Sequence, residues 1–247
     1  MIVRIIIPLY NHERYVSDCI RSCLEQTYQD IEILVIDDCS TDRSFAIADC
    51  YSKNERVLVL KNMENIGYTN TINRGIRYDG ADFIVVLDSD NFLTPKSIEL
   101  RVQAFREKPI LDMVHGFAYS ITTENYDECL KGTFRKHGRH DDRIHDQTVM
   151  LRKSVYYKCG LWYDMGNPMA SSDKEYWYRL GVHPFSPLSQ QVKAKKLDSF
   201  LCYYRKDVKS MKYQRNEKQK KYLRGLLDKR VETLKREGIT RENTPWL

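Results

Sequence analysis

The sequence of 247 residues predicts an α/β protein built on a Rossmann-like, mostly parallel β-sheet flanked by helices. Two observations carry this prediction. Short runs of β-branched and other apolar residues alternate with segments of about ten residues that have helical spacing, which is the pattern of βαβ units. The runs are apolar at nearly every position, as expected for strands covered on both faces. Connections between such strands are expected to be right-handed.

Four strands and four helices are predicted to alternate in the first part of the chain. The predicted strands are VRIIIPLY at the start, IEILVIDD, VLVL (57–60) and FIVVLD. The predicted helices are 17–26, 44–53, 69–78 and a fourth helix with Pro95 at its first position. The regular alternation ends near residue 110.

The elements beyond residue 110 are less regular. Predicted in order are a strand at MVHGFAYSI, a long polar loop at 122–143, a strand and short helix at QTVMLRKSVYYKCG, a helix at SSDKEYWYRLG, a last strand at SFLCYYR and a basic amphipathic helix at 216–236. We therefore expect one domain over 1–211, divided near residue 110, and a basic helical tail over 212–247.

Composition limits the possible functions. The positive net charge of +6 is concentrated between Arg205 and Arg236, which indicates either a solvated helix face or a surface for an anionic membrane or polyanion. The seven cysteines form no Cys-x-x-Cys pair, so we expect reduced thiols, a cytoplasmic protein and no zinc site. No apolar run approaches the roughly eighteen residues of a membrane span, and the N-terminus is unlike a signal peptide.

Polar clusters follow three of the predicted strands. They are Pro8-Leu9-Tyr10-Asn11, Asp37-Asp38 and Asp88-Ser89-Asp90. The carboxyl ends of parallel strands meet at one rim, where ligands of such sheets bind. Carboxylates without nearby histidine or cysteine favour Mg²⁺ or Mn²⁺ over zinc. Aspartates are also common in solvent-exposed turns, so the spacing alone leaves both interpretations open.

A further carboxylate, Asp173, lies just ahead of an aromatic-rich predicted helix. An aspartate there either stabilises the start of the helix or acts as a general base toward a hydroxyl group. The residue type does not decide between these roles.

Together these segments resemble the inverting family 2 glycosyltransferases, which have the GT-A fold. The similar segments are the opening strand–helix–strand region through IDDCSTDRS, then ENIGYTNTINRGI, LDSDN, DQTVMLRKSVYYKCGLWYD with SSDKEYWYRL, and YYRKDVKSM. They occur in the family's order over about residues 2–211, which is more specific than a lone Asp-x-Asp. The resemblance implies a nucleotide-sugar-binding half at 1–110 and an acceptor-binding half at 111–211.

The resemblance also implies roles for individual residues. The implied nucleotide-sugar contacts are Pro8 and Tyr10 beside the nucleobase, Asp38 at the base edge, Asn73, and Asp88 and Ser89 near the ribose and diphosphate. The implied ligands of Mn²⁺ or Mg²⁺ are Asp90, Asp88 and Asp207, the last at a position where members often have histidine. Asp173 would be the general base, with Ser172 where many members have glutamate.

The implied activity is transfer of a sugar from a UDP-sugar to a hydroxyl group on a glycan, a lipid-linked acceptor or a protein. One displacement assisted by Asp173 would invert the anomeric centre. No nucleic-acid partner is expected. The basic tail is a candidate for peripheral membrane contact, one of the two interpretations of its charge.

Two alternatives belong to other functional classes. A haloacid-dehalogenase-type phosphatase also has Asp-x-Asp after a strand, but on its first strand and with Thr or Val where this chain has Phe92. A non-catalytic glycan-binding relative is the other, because Ser172 and Ile72 depart from residues common in the family. A sugar-nucleotide pyrophosphorylase needs a glycine-rich loop after the first strand, and a dinucleotide-binding dehydrogenase needs G-x-G-x-x-G. Neither motif is present.

Overall fold

The structure is a computed structural model that describes residues 1–121, 144–164 and 192–205, with single positions at 176, 177, 180, 182, 225, 228, 229, 232, 233 and 236. Its strands are β1 (Val3–Leu9), β2 (Ile31–Asp37), β3 (Val57–Lys61), β4 (Phe83–Val86), β5 (Phe92–Leu93), β6 (Met113–Ile121), β7 (Met150–Arg152) and β8 (Ala194–Arg205). Its helices are α1 (Val16–Leu24), α2 (Ser44–Asp49), α3 (Tyr68–Arg77), α4 (Ser97–Glu107), a 3-10 turn (Asp146–Thr148) and α5 (Lys153–Cys159).

The strands of the described residues form one eight-stranded sheet in the order β3-β2-β1-β4-β7-β6-β8-β5. The first four strands in this order run parallel to one another. β7 then pairs antiparallel with both β4 and β6, and β8 pairs parallel with β6 and antiparallel with β5. The predicted mixed α/β fold with a mostly parallel sheet is thereby confirmed.

The central strand β1 explains why these runs are apolar at every position. All seven of its residues are buried, because alternate side chains enter two different cores. Ile5 packs in the same core as Ile20 of α1, on one face of the sheet, and Ile6 packs with Ile72 of α3 on the other. Helix α3 lies so close to the sheet that a Cβ on Gly75 would be 2.8 Å from Ile6 Cγ2.

The prediction for Pro95 was wrong. Helix α4 begins at Ser97 after the capping residue Lys96, so the proline precedes the helix. The Pro95 carbonyl accepts a hydrogen bond from the Thr27 N–H (3.1 Å) instead of an intrahelical bond. Helix α2 also ends earlier than predicted, at Asp49 rather than at residue 53, because the chain continues in turns.

Three predicted elements lie wholly or mostly outside the described residues. The 122–143 loop is one of them. Of the helix predicted around SSDKEYWYRLG, three residues are described: Tyr176 and Trp177 are helical, and Leu180 lies in a turn. The described positions of the C-terminal tail are also helical, and the division into domains remains a prediction. Among the described helices none has the length and hydropathy to cross a bilayer.

Candidate functional site

The loops that follow β1, β2 and β4 lie side by side at one rim of the sheet. The Asp38 N–H donates to the Leu9 carbonyl (2.8 Å), which joins the first two loops. His12 Nδ1 lies 2.7 Å from Ser89 Oγ, which joins the first loop to the third. The rim therefore brings together the three polar clusters that the sequence placed after separate strands.

The segment from Asp88 to Asn91 makes a turn instead of continuing β4. The Asn91 N–H donates to the Asp88 carbonyl at 2.9 Å, the hydrogen bond of a β-turn. Ser89 is buried inside this turn, while Asp88 and Asp90 are half-buried. A turn allows both carboxylates to reach one ligand, whereas a continued strand would point them to opposite faces.

The side chain and backbone of Asp88 are held by two residues that sequence reasoning missed. The Tyr68 hydroxyl, at the start of α3, donates to Asp88 Oδ1 (2.7 Å). The Asp88 N–H donates to the side-chain oxygen of Gln147 (2.6 Å), which comes from the 3-10 turn before β7. Asp88 is thus oriented by the chain itself.

Electrostatics at this turn favour a cation. Burial, and after it the neighbouring charge of Asp90, raise the pKa of the Asp88 carboxyl to about 6. Hydrogen bonds from Tyr68 and Gln147 and the charge of His12 act in the opposite direction. A divalent cation between the two carboxylates would relieve their repulsion.

The donor set also fits a hard cation. Within the described part of the chain no group of three or more histidine, cysteine, aspartate or glutamate residues could hold a metal ion. Mg²⁺, however, is usually bound through one or two carboxylates plus substrate phosphates and water. Two carboxylates on one turn therefore fit Mg²⁺ or Mn²⁺. The nearby His12 imidazole contacts the Ser89 hydroxyl (2.7 Å), and the Cys19 thiol contacts the Asp88 carbonyl (3.6 Å).

The raised pKa of Asp88 predicts a pH-dependent effect on stability. A carboxyl whose folded pKa is above its unfolded value contributes stability that is present below about pH 4 and is lost as the pH rises through about 6. In metal-free buffer we expect Asp88→Asn to raise the unfolding temperature by about 2–4 °C at pH 7.5, since about 1 kcal/mol of repulsion is removed, and to change it little at pH 4. Thermal unfolding at both pH values measures this.

The control for this prediction is Asp198→Asn, which changes an exposed aspartate on β8. It should leave the unfolding temperature within about 1 °C at both pH values, as is usual for surface substitutions. An Asp88→Asn protein that is less stable than the wild type at pH 7.5 would contradict the electrostatic interpretation.

Asp38 is buried, and its carboxylate holds the loop that leads into α3. It accepts hydrogen bonds from Asn62 Nδ2 (2.8 Å), the Ile66 N–H (2.9 Å) and the Gly67 N–H (2.8 Å). Gly67 has a φ of 85°, a left-handed conformation that favours glycine at this end of the loop. Three of the roughly four acceptor positions of the carboxylate are therefore used within the chain, which leaves about one for another donor.

The other residues predicted to contact the nucleotide-sugar differ in the exposure of their side chains. Pro8 is buried within β1, and Tyr10, two residues later, is 46% exposed beside the rim. Asn73 is buried, and its amide makes a reciprocal pair with the backbone of Trp162: Nδ2 donates to the carbonyl (2.8 Å) and Oδ1 accepts from the N–H (3.0 Å). In this structure the Asn73 amide positions the Trp162 segment.

The remaining predicted site residues, Asp173 and Asp207, lie outside the described residues. The last described residue before Asp207 is Arg205, at the end of β8. It contacts the Asp88–Asn91 turn directly. Its Nε donates to the Asp90 carbonyl (3.0 Å) and its N–H donates to Asn91 Oδ1 (2.8 Å). The end of β8 is thus fixed to the loop that carries the carboxylate pair.

The mixed sheet with its flanking helices is a GT-A fold, and its rim carries the carboxylates of Asp88 and Asp90. The profile described as glycosyl transferase family 2 matches residues 4–159, which is more than half of the chain. The chain belongs to glycosyl transferase family 2. The resemblance inferred from the sequence is confirmed, and the match argues against the phosphatase alternative.

Relatives named as glycosyltransferases support this assignment. The chain is 36% identical over 128 residues to the glycosyltransferase GlyG of Streptococcus pneumoniae, covering 51% of this chain and 40% of that protein. It is 36% identical over 124 residues to the chondroitin synthase of Escherichia coli, covering 50% of this chain and 18% of the synthase. It spans between 40% and 59% of the length of three of its curated relatives.

Solved structures support the fold. The structure of residues 1–349 of S. aureus TarS in complex with UDP-GlcNAc superposes with a TM-score of 0.69 at 16% identity, covering 95% of this chain and 67% of that chain. The mannosyltransferase PcManGT from Pyrobaculum calidifontis, in complex with GDP-Man and Mn²⁺, gives a TM-score of 0.60 at 14% identity, covering 81% and 56%.

Proposed function

We propose that this chain is an inverting, metal-dependent glycosyltransferase that transfers a sugar from a UDP-sugar to a hydroxyl acceptor. The observation that carries the proposal is the turn holding Asp88 and Asp90 at the carboxyl end of β4, in a chain of glycosyl transferase family 2. Structural neighbours with the same fold have been solved in complex with UDP-GlcNAc or with GDP-Man and Mn²⁺, which supports a nucleotide-sugar donor and a divalent ion.

The proposed ligands of Mn²⁺ or Mg²⁺ are Asp90, Asp88 and Asp207. Arg205 is bonded to the Asp90 carbonyl, and Asp207 follows two residues later, so the backbone between them spans at most about 7 Å. This short reach supports Asp207 as a third ligand. When bound, the ion would stabilise the negative charge that builds on the departing nucleotide diphosphate.

The proposed donor contacts follow from the arrangement of the rim. Asp38 keeps about one acceptor position for an N–H on a uracil edge. The exposed Tyr10 follows Leu9, whose carbonyl accepts from the Asp38 N–H, and Pro8 precedes Leu9 in β1. Asp88 and Ser89 are proposed to lie near the ribose and diphosphate. Asn73 is proposed to act on the donor through the Trp162 segment that its amide holds.

Asp173 is the proposed general base in the chemical step. Breaking the bond between the sugar and the diphosphate gives the anomeric carbon oxocarbenium character. Asp173 would accept the proton from the acceptor hydroxyl as its oxygen attacks from the face opposite to the leaving group. A single displacement of this kind inverts the configuration at the anomeric carbon.

The acceptor is proposed to be a hydroxyl group on a glycan, a lipid-linked saccharide or a protein, bound by the 111–211 half. The basic segment at 212–247 is proposed to bring the enzyme to an anionic membrane surface from the cytoplasmic side. No nucleic-acid partner is proposed.

A donor screen tests the proposed function. With Mn²⁺ present, we expect UDP to be released from one or more of a panel of UDP-sugars, and the release to fall about 10²-fold or more in EDTA and to return with added Mn²⁺. Coupled detection of UDP measures the rate. Binding of a UDP-sugar without release, with or without candidate acceptors, would indicate the non-catalytic glycan-binding alternative. Cleavage of p-nitrophenyl phosphate with no UDP-sugar binding would favour a phosphatase.

A further inference from the structure

The 3-10 turn Asp146–Thr148 lies just before β7, which runs antiparallel to β4, and it contacts the Asp88–Asn91 turn that follows β4. In the antiparallel pair of β4 and β7, Val85 pairs with Met150, and continuing this register places Gln147 opposite Asp88. The side-chain oxygen of Gln147 accepts from the Asp88 N–H at 2.6 Å, where a backbone carbonyl would accept if the strand continued. Gln147 is 3% exposed. A buried side chain therefore fixes the backbone at which the carboxylate pair begins.

The residue before Gln147 contacts a different part of the molecule. Asp146 Oδ1 accepts a hydrogen bond from the Trp177 indole Nε1 at 2.7 Å. Trp177 is buried, helical, and packed edge-on against Trp162 and Tyr176, with ring centroids 6.0 and 5.6 Å apart. In the sequence Trp177 comes four positions after Asp173, the proposed general base.

The turn is anchored by Arg101 of α4, a fully buried cation. Its guanidinium donates to the carbonyls of Thr148 (3.1 Å) and Val149 (3.2 Å) and to the carbonyl and hydroxyl of Ser97. No ion pair in the described part of the chain includes Arg101, and burial lowers its pKa to about 10. Burying a cation without a carboxylate is unfavourable unless its hydrogen bonds are all satisfied, so the position of these two carbonyls is tightly determined.

We propose that Asp146 and Gln147 are positioning residues for the transfer reaction, held in place by Arg101. Gln147 sets the backbone of the proposed metal-binding turn, and Asp146 sets the segment that follows the proposed general base. One turn thereby links the proposed metal-binding turn to Trp177. The inference rests on the proposed function, and it assigns separable effects to two adjacent residues.

The Gln147 arm of the test is a binding measurement. Gln147→Met keeps the side-chain volume and removes both the acceptor for the Asp88 N–H and the hydrogen bond from Gln147 to the Asp88 carboxyl. We therefore expect the Kd for UDP in Mn²⁺, measured by calorimetry, to rise roughly tenfold. The Kd without Mn²⁺ should change less than twofold. Gln103→Met, the same substitution at an exposed position of α4, is the matched control and should leave both values unchanged.

The Trp177 arm is a kinetic measurement. Trp177→Phe keeps an aromatic ring and removes the N–H, so we expect kcat to fall roughly tenfold while the KM for the donor stays within twofold. Asp146→Ala should behave in the same way. Asp146→Asn retains an acceptor oxygen and should restore kcat to within about twofold of the wild type. If Trp177→Phe does not fold, the two Asp146 variants decide this arm.

The outcomes separate this inference from the proposed function. Variants that lower the unfolding temperature but leave the UDP Kd and kcat at wild-type values would show a purely structural turn and overturn the inference alone. A wild-type protein that releases no UDP from any donor would overturn the proposed function and the inference together. A fall in kcat that Asp146→Asn does not restore would also count against the Asp146–Trp177 contact.

Discussion

An Asp173→Asn variant is expected to bind the nucleotide-sugar donor as the wild type does and to transfer the sugar about 10²–10⁴ times more slowly. The amide has nearly the same shape as the carboxylate but cannot accept the proton of the acceptor hydroxyl. The loss should therefore appear in kcat, because the donor is held by other residues at the rim. Steady-state kinetics with saturating donor and acceptor, together with calorimetry of UDP binding, measure the two effects separately.

The matched control for this variant is Asp198→Asn, which makes the same substitution at an exposed position of β8. Its turnover should equal that of the wild type. If Asp173→Asn turned over within about threefold of the wild type, Asp173 would not be the base. A large loss of UDP affinity instead would move Asp173 from the acceptor side to the donor side of the site.

An Asp90→Asn variant is expected to lose the Mn²⁺ dependence of UDP binding and to turn over roughly 10³-fold more slowly. A metal ion acting as a Lewis acid contributes several kcal/mol to the stability of the transition state, and each 1.36 kcal/mol is about tenfold in rate. The Arg205 side chain donates to the backbone carbonyl of Asp90, so the turn should keep its shape when the Asp90 side chain changes. The substitution therefore isolates the carboxylate.

Calorimetry of UDP binding with and without Mn²⁺ is the direct measurement. For the wild type the two affinities should differ strongly, and for Asp90→Asn their ratio should approach one. A variant in which Mn²⁺ strengthens UDP binding as much as in the wild type would remove Asp90 from the set of proposed ligands. Asp198→Asn again serves as the control, since its side chain is exposed on β8.

The buried strands were the most predictable part of the fold. β6 spans Met113–Ile121 as predicted, and the ends of β1, β2 and β4 were each predicted within a few residues. Strands covered on both faces are apolar at consecutive positions, and this composition is visible without any knowledge of pairing. The first half of β8 was missed because AKKLD is mostly half-exposed and carries charge, so it lacks that signal.

The candidate site was predictable only where it follows parallel strands. Asp38, Asp88 and Asp90 come directly after such strands, so the topology alone places them at the rim. Gln147 comes before a strand, and it reaches the same rim only because β7 runs antiparallel to β4. The pairing direction of a three-residue strand cannot be read from its composition. Site residues that precede an antiparallel strand, as Gln147 does, are therefore difficult to predict from sequence.

The pairing of β4 with β7 has a consequence for synthesis on the ribosome. β4 has a parallel neighbour on one edge as soon as β1 is present, but its other edge is completed by β7, roughly 60 residues later in the chain. At typical translation rates of about 5–20 residues per second, that edge of an entirely apolar strand stays open for roughly 3–12 s. The nascent chain is most exposed to misassociation in this interval, when a chaperone that shields strand edges would protect it best.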